Sequence, residues 1–177
     1  MKRLILFMFL LISGNLIAQE NRQLINNFIK NEKNIICWQN ISDTELSQAE
    51  LLDAIIESGF YQDIEVTGDK VICVMKPYKV NYEQYGYSAL DASSYISQNL
   101  ITATVIFEFK NRRYRSTVKN IQLILNTEQY QGSVLPLEFW VLNRQQDIKF
   151  AFFKNGSEVL NKDFLSRTTF NKSFTDW

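Results

Sequence analysis

The 177-residue sequence has no histidine, two cysteines, two prolines and six glycines. Each shortage closes a route. Without histidine there is no Ser-His-Asp or Cys-His catalysis, no imidazole metal ligand and no imidazole pH switch. Two cysteines make neither a four-thiolate zinc site nor a dense disulfide scaffold. The glycines beyond residue 18 stand isolated, so no phosphate-cradling loop is present. Charge of one sign is also missing: 19 Lys and Arg balance 19 Asp and Glu. A dedicated nucleic-acid binder is usually basic.

What is present starts at the N-terminus. Lys2 and Arg3 precede nine unbroken apolar residues, Leu4 to Ile12. Ser13, Gly14 and Asn15 end the run, and Ala18 before Gln19 offers a small-residue cleavage point, although Leu16 is larger than usual three positions before the cut. This order of charge, apolar run and small residue is that of a secretory signal peptide. The run is too short for a transmembrane helix, which needs roughly 18 apolar residues. The expectation is a signal peptide over 1–18, an exported mature chain and no transmembrane segment after cleavage. Losing Lys2 and Arg3 leaves 17 basic against 19 acidic residues, a formal charge of −2 on 159 residues. A chain of that size buries about 68–70% of its unfolded surface, enough for one core. Residues 34–177 are read as a single domain, preceded by an N-terminal arm over 19–33.

Leu24, Ile25, Phe28 and Ile29 fall at helical spacing and predict a short helix or arm. Asn34–Gln39 reads as a strand. The clearest helix runs from Asp43 to Ser58. Ser42, Asp43 and Thr44 offer N-caps, Glu45 stands at capping-box distance from Ser42, and Gly59 closes the helix as a left-handed C-cap. Its outer stripe, Glu50, Asp53 and Glu57, is a solvated face that would also suit a basic partner. Gln62–Thr67 and Lys70–Lys76 form a hairpin around Gly68-Asp69, with Ile64 and Val66 facing in. Ala103–Phe109 and Arg113–Leu125 form a second hairpin, with Tyr114, Ser116 and Val118 on one face and Arg113, Arg115, Thr117 and Lys119 on the other. Beyond Leu125 the signals weaken. Ser157–Phe170 reads as a helix started by Ser157. Cys37 and Cys73 sit in apolar, strand-like runs and read as buried thiols in preference to a bridge.

Two surfaces stand out. Five of the eight tyrosines, Tyr78, Tyr82, Tyr85, Tyr87 and Tyr95, lie in the irregular stretch 77–100. Tyrosine is rigid and amphipathic and serves binding surfaces well, although it also packs over sheet edges. Lys110, Arg112, Arg113, Arg115 and Lys119 form an acid-free basic run, of which Arg113, Arg115 and Lys119 project from one sheet face. Such a run offers an anion footprint, or more simply a solubilising outer face. The candidate binding residues are therefore Tyr82, Tyr85, Tyr87, Arg113, Arg115 and Lys119. No D-x-D, EF-hand, H-E-x-x-H or G-x-S-x-G motif occurs. A paired-carboxylate hydrolase is not signalled by any spacing. No catalytic residue, metal ligand or cofactor is predicted, and the chain is read as no enzyme.

The stretch Thr104-Val105-Ile106-Phe107-Glu108-Phe109-Lys110-Asn111-Arg112-Arg113-Tyr114-Arg115-Ser116-Thr117-Val118-Lys119-Asn120-Ile121 resembles the hairpin of an uncharacterised family of secreted Gram-negative bacterial proteins, a domain of unknown function with a TBP-like fold. Lys110, Arg113, Tyr114 and Arg115 match its motif, while Asn111-Arg112 replaces the usual Asp-Gly turn. The resemblance covers about residues 35–125. It implies an α+β fold, a curved antiparallel sheet with helices packed on one face, and a periplasmic or extracellular location. It implies no activity. A fold label does not license DNA binding, since one fold hosts unrelated functions.

The expected function is a non-enzymatic binding or accessory module of the cell envelope or secreted fraction. Its partner would be a protein or small envelope ligand, not nucleic acid. An inhibitor or immunity-type protein against a secreted toxin or hydrolase is the second reading, and a carboxylate-based hydrolase the third.

Overall fold

A computed structural model describes residues 23–127 and 129–170; the expected signal peptide and cleavage point lie outside the described residues. A nine-stranded antiparallel sheet forms the frame. Along the chain run β1 (Gln23–Ile25), β2 (Phe28–Lys30), β3 (Ile36–Asp43), α1 (Gln48–Glu57), β4 (Tyr61–Thr67) and β5 (Lys70–Met75). Next come β6 (Tyr78–Lys79), a 3-10 turn (Tyr82–Tyr85), α2 (Ser94–Gln98), β7 (Leu100–Lys110) and β8 (Arg113–Ile124). β9 (Val134–Pro136), α3 (Leu137–Val141), a π-helical turn (Phe152–Gly156) and α4 (Ser157–Thr168) complete it. The spatial order is β1-β2-β3-β8-β7-β5-β4, with β6 on β7 and β9 on β8. No described helix is long and apolar enough to cross a membrane.

Three two-residue turns build this sheet, and each uses residues that accept positive φ. Gly68 has φ +60 and links β4 to β5. Asn111 and Arg112, at φ +51 and +58, link β7 to β8 as a type I′ turn. The Arg112 backbone therefore carries the left-handed strain that glycine avoids. Asn26 and Asn27, at φ +46 and +66, make the same turn between β1 and β2. This corrects the reading of 19–33. From Gln23 onward the segment is a hairpin on the sheet edge, because apolar pairs on either side of Asn-Asn fit a two-residue turn as well as a helical face.

The first helix also starts later than its sequence suggests. Ser42 pairs with Tyr114 in the β3–β8 ladder, so it cannot cap a helix. Ser47 does instead: its hydroxyl accepts from Glu50 N, and the Glu50 carboxylate accepts from Ser47 N at 2.7 Å. Gly59 follows at φ +69, as expected of a left-handed cap. In β4 a bulge at Asp63, φ +52, breaks the alternation, and Val66 lies 52% exposed rather than facing in. The last helix runs over α4, but Ser157 does not cap it, since its hydroxyl donates back to Phe153 O.

One face of the sheet is buried. Ile101, Ala103, Val105 and Phe107 of β7 meet Tyr114, Ser116 and Val118 of β8 there. A second bulge at Asn120, φ +51, shifts the phase, so the buried set continues as Ile121 and Leu123. α4 lies against this face: Phe164 packs 5.7 Å from Trp38 and 6.0 Å from Phe28, ring centre to ring centre. Trp38 Nε1 donates to Asn161 Oδ1 at 2.8 Å, and the Tyr114 hydroxyl donates to Thr168 O at 3.0 Å. Leu51 and Ile55 of α1 join the same core. Cys37 and Cys73 are not bridged to each other, and Cys37 is half-buried, its thiol donating to Ile29 O at 3.7 Å. Cys73 is buried in this core, which pushes its thiol up to about 12.

Candidate functional site

The six candidate residues do not form one surface. Tyr82, Tyr85 and Tyr87 lie on the helical side, half-buried against α4. Arg113, Arg115 and Lys119 lie on the opposite, open face of the sheet.

The tyrosine stretch is fastened by one carboxylate. Asp163 is completely buried and accepts from the Tyr78 hydroxyl at 2.6 Å, from Arg167 Nε at 3.1 Å and from the Tyr85 hydroxyl at 3.4 Å. The Arg167 guanidinium sits 3.6 Å from the centre of the Tyr78 ring and 4.8 Å from that of Phe60. Burial, with the Asp163 charge beside it, pushes the Tyr78 hydroxyl far above its ordinary range, so it remains a donor. Tyr85 also shares a hydrogen bond with Ser166, and Lys162 donates to the Tyr87 hydroxyl at 3.0 Å while lying over its ring. These hydroxyls are spent on holding residues 78–87 to α4.

The open face has a different chemistry. Lys70, Glu108, Arg115 and Ile41 stand side by side across β5, β7, β8 and β3. Glu108 accepts from Lys70 at 2.8 Å and from two nitrogens of Arg115, while Arg113 pairs with Asp43. The Lys70 hydrogen bond, reinforced by Arg115, holds the Glu108 carboxyl below its usual range. The next row carries Ile72, Ile106, Thr117 and Gln39, with Gln39 donating to Thr117 at 3.3 Å. Lys119 stands half-buried opposite Thr104. Lys70, Lys110, Arg113, Arg115 and Lys119 thus outnumber Asp43, Glu65 and Glu108 on this face, although the chain as a whole carries no net charge. A groove of about 580 Å³ at the hairpin end is lined by Ile41, Asp69, Glu108, Lys110, Arg113 and Arg115.

Two catalytic arrangements can be weighed against this geometry. Asp69 and Glu108 share that groove, but the Glu108 carboxylate is already paired with Lys70 and Arg115. Ser116 and Lys119 have Ser-x-x-Lys spacing, but a strand sends positions three apart to opposite faces. Ser116 is fully buried while Lys119 lies on the open face.

The comparisons with known proteins concern shape. No protein-family model and no curated relative matches the sequence. Two solved structures are similar. One is a TBP-like protein from Parabacteroides distasonis, with 10% identity over 77% of this chain and 92% of that one, at a TM-score of 0.48. The other is a DUF4468 family protein from Bacteroides ovatus, with 12% identity over 76% and 84%, at a TM-score of 0.47. The hairpin motif pointed to the same kinds of protein. The curved antiparallel α+β fold stands as read.

Sequence reasoning missed the partners that define the open face. Ile41, Lys70, Ile72, Ile106 and Glu108 come from three strands, and only register brings them together. The available signal was alternation: the position of Glu108 opposite the turn from Arg115 follows once Asn111-Arg112 is taken as a two-residue turn.

Proposed function

We propose that the chain is an exported, non-enzymatic binding or accessory module that recognises a protein partner through the open face of its sheet. Export rests on the Lys2-Arg3 start, the Leu4–Ile12 run and Ala18. Recognition rests on one observation: the sheet buries one face under helices and leaves the other bearing paired charges among isoleucines. Net positive charge with exposed Ile41, 65% accessible, suits a partner segment that is acidic and apolar.

The test is a photo-crosslinking side chain placed at Ile41 in the full chain, in cells that make it. The expected result is a single protein adduct that weakens when Arg115 is changed to Glu. An adduct from Asp53 with none from Ile41 would overturn this surface. It would favour the inhibitor reading, in which the exposed stripe Glu50, Asp53 and Glu57 meets a basic target. N-terminal sequencing of the exported protein should begin at Gln19; retention of Met1 would remove the export premise.

A further inference from the structure

α1 carries a second charged surface, which the open-face reading leaves unused. Its ten residues, Gln48–Glu57, include three acids and no base. Leu51 and Ile55 anchor it in the core under the covered face of the sheet, so its outer side points away from the open face. At about 100° per residue, Asp53, Ile56 and Glu57 fall within roughly 100° of arc on that outer side. All three are exposed, Ile56 at 53%. Glu50 is engaged in the capping box with Ser47. Asp53 and Glu57 have no ion pair among the described residues.

The open face offers the complement. Beside Lys70 and Arg115, which pair with Glu108, it carries Lys110 and Lys119, which have no ion pair among the described residues. Ile41, Ile72 and Ile106 supply the apolar ground between these charges. The lengths agree: Glu108, Ile106 and Thr104 span about 13 Å along β7, and ten helical residues span about 15 Å. Charge decides which surfaces meet. Open face on open face sets lysine and arginine against their own kind, and α1 on α1 sets acid against acid. Only unlike surfaces, one from each copy, bring opposite charges together. The two surfaces lie on opposite sides of the molecule, so one chain cannot join them by itself.

We propose that the partner of the open face is a second copy of the chain, with α1 of one copy lying across β5, β7, β8 and β3 of the next. This inference rests on the open-face reading and names its occupant. Asp53 and Glu57 face the basic side chains, and Ile56 faces the isoleucines. The contact is heterologous, since each copy contributes a different patch. A joined pair keeps one free open face and one free α1, and can add further copies. A ten-residue helix on four strands makes a contact at the low end of interface sizes, below roughly 1,200 Å². The association is therefore weak and builds up at high concentration.

The test is sedimentation velocity of the chain from Gln19 onward, which keeps every described residue, at concentrations on the order of 10 to 500 µM. The sedimentation coefficient should rise with concentration and return to the monomer value in about 0.5 M NaCl, where exposed charge pairs are screened. Ile41→Glu breaks the open face, and Asp53→Lys with Glu57→Lys breaks the helix face. Each variant alone should stay monomeric and melt close to wild type. Mixed in equal amounts, the two should form a dimer and nothing larger, because each supplies the one surface that the other lacks. Wild type that stays monomeric throughout, or a mixture that does, overturns the proposal. So does a photo-crosslinker at Ile41 that, in the purified chain, joins the open face of the second copy instead of residues 48–57. The wider reading fails separately. A crosslink from Ile41 to a different protein in cells, with no self-association of the purified chain, keeps the open face as a binding surface and removes only the second copy as its occupant.

Discussion

The two faces of this sheet handle polar groups in opposite ways. On the covered face partners are buried together: Trp38 Nε1 with Asn161, the Tyr114 hydroxyl with Thr168, and Asp163 with Tyr78, Tyr85 and Arg167. On the open face the pairs are solvated, as those of Glu108 with Lys70 and Arg115 are. Solvated pairs contribute little to folding and are easily exchanged for another molecule's charges. Buried pairs are costly to break and hold the fold in one arrangement. The covered face therefore sets stability, and the open face contributes little to it.

Substitutions sharpen that contrast, and the largest effect belongs to the covered face. Phe164→Ala removes a fully buried ring from between Phe28 and Trp38 and should cost about 3–5 kcal/mol in denaturant unfolding. A loss under 1 kcal/mol would mean that α4 is not part of the cooperative core. Asp163→Ala strands Arg167 and the Tyr78 hydroxyl and should cost about 3 kcal/mol. It should also expose residues 78–87 to proteolysis; an unchanged digestion pattern would show that the carboxylate does not hold them.

Glu108→Gln tests the open face and should cost about 1 kcal/mol or less. The sign of its pH dependence follows from the lowered carboxyl pKa. In the folded protein the group gives up its proton more readily than in the unfolded chain. Its contribution is present above the unfolded value, about 4.3, and fades as pH falls through the lower folded value. Wild type and Glu108→Gln should therefore converge in stability on acidification, by urea titration at several pH values; a constant gap would break the argument. Ile41→Glu should move stability by no more than about 0.5 kcal/mol while abolishing the Ile41-side contact with a partner. A large stability loss there would make the open face structural too.

How far the sequence speaks depends on the distance between partners. The β7–β8 hairpin is legible because its strict alternation spans the turn and both strands are adjacent in the chain. The β1–β2 hairpin is not: Leu24, Ile25, Phe28 and Ile29 satisfy a helical face and a two-residue turn alike, and the left-handed tolerance of Asn26-Asn27 decides. The start of α1 was read at Ser42, although Ser47 and Glu50 repeat the same Ser-x-x-Glu spacing. Only the ladder partner Tyr114, far along the chain, removes Ser42 from contention. The tyrosines of 78–87 were visible, but their anchor Asp163 lies about 80 residues away with no pattern linking them. For the same reason the candidate surface was half legible: the Arg113–Lys119 face follows from alternation, its separation from the tyrosines does not.

The position of α4 sets a schedule for the chain. Strands β2 to β8 use residues 28–124, and the helix that roofs them comes after residue 156. A chain delivered N-terminus first completes its sheet before the roof arrives. During that interval Phe28 and Trp38 lack the Phe164 ring that packs on them, and the part of the face that α4 covers stays open to solvent. Its greatest hazard of sticking to neighbours falls in that window, before Phe164 closes it.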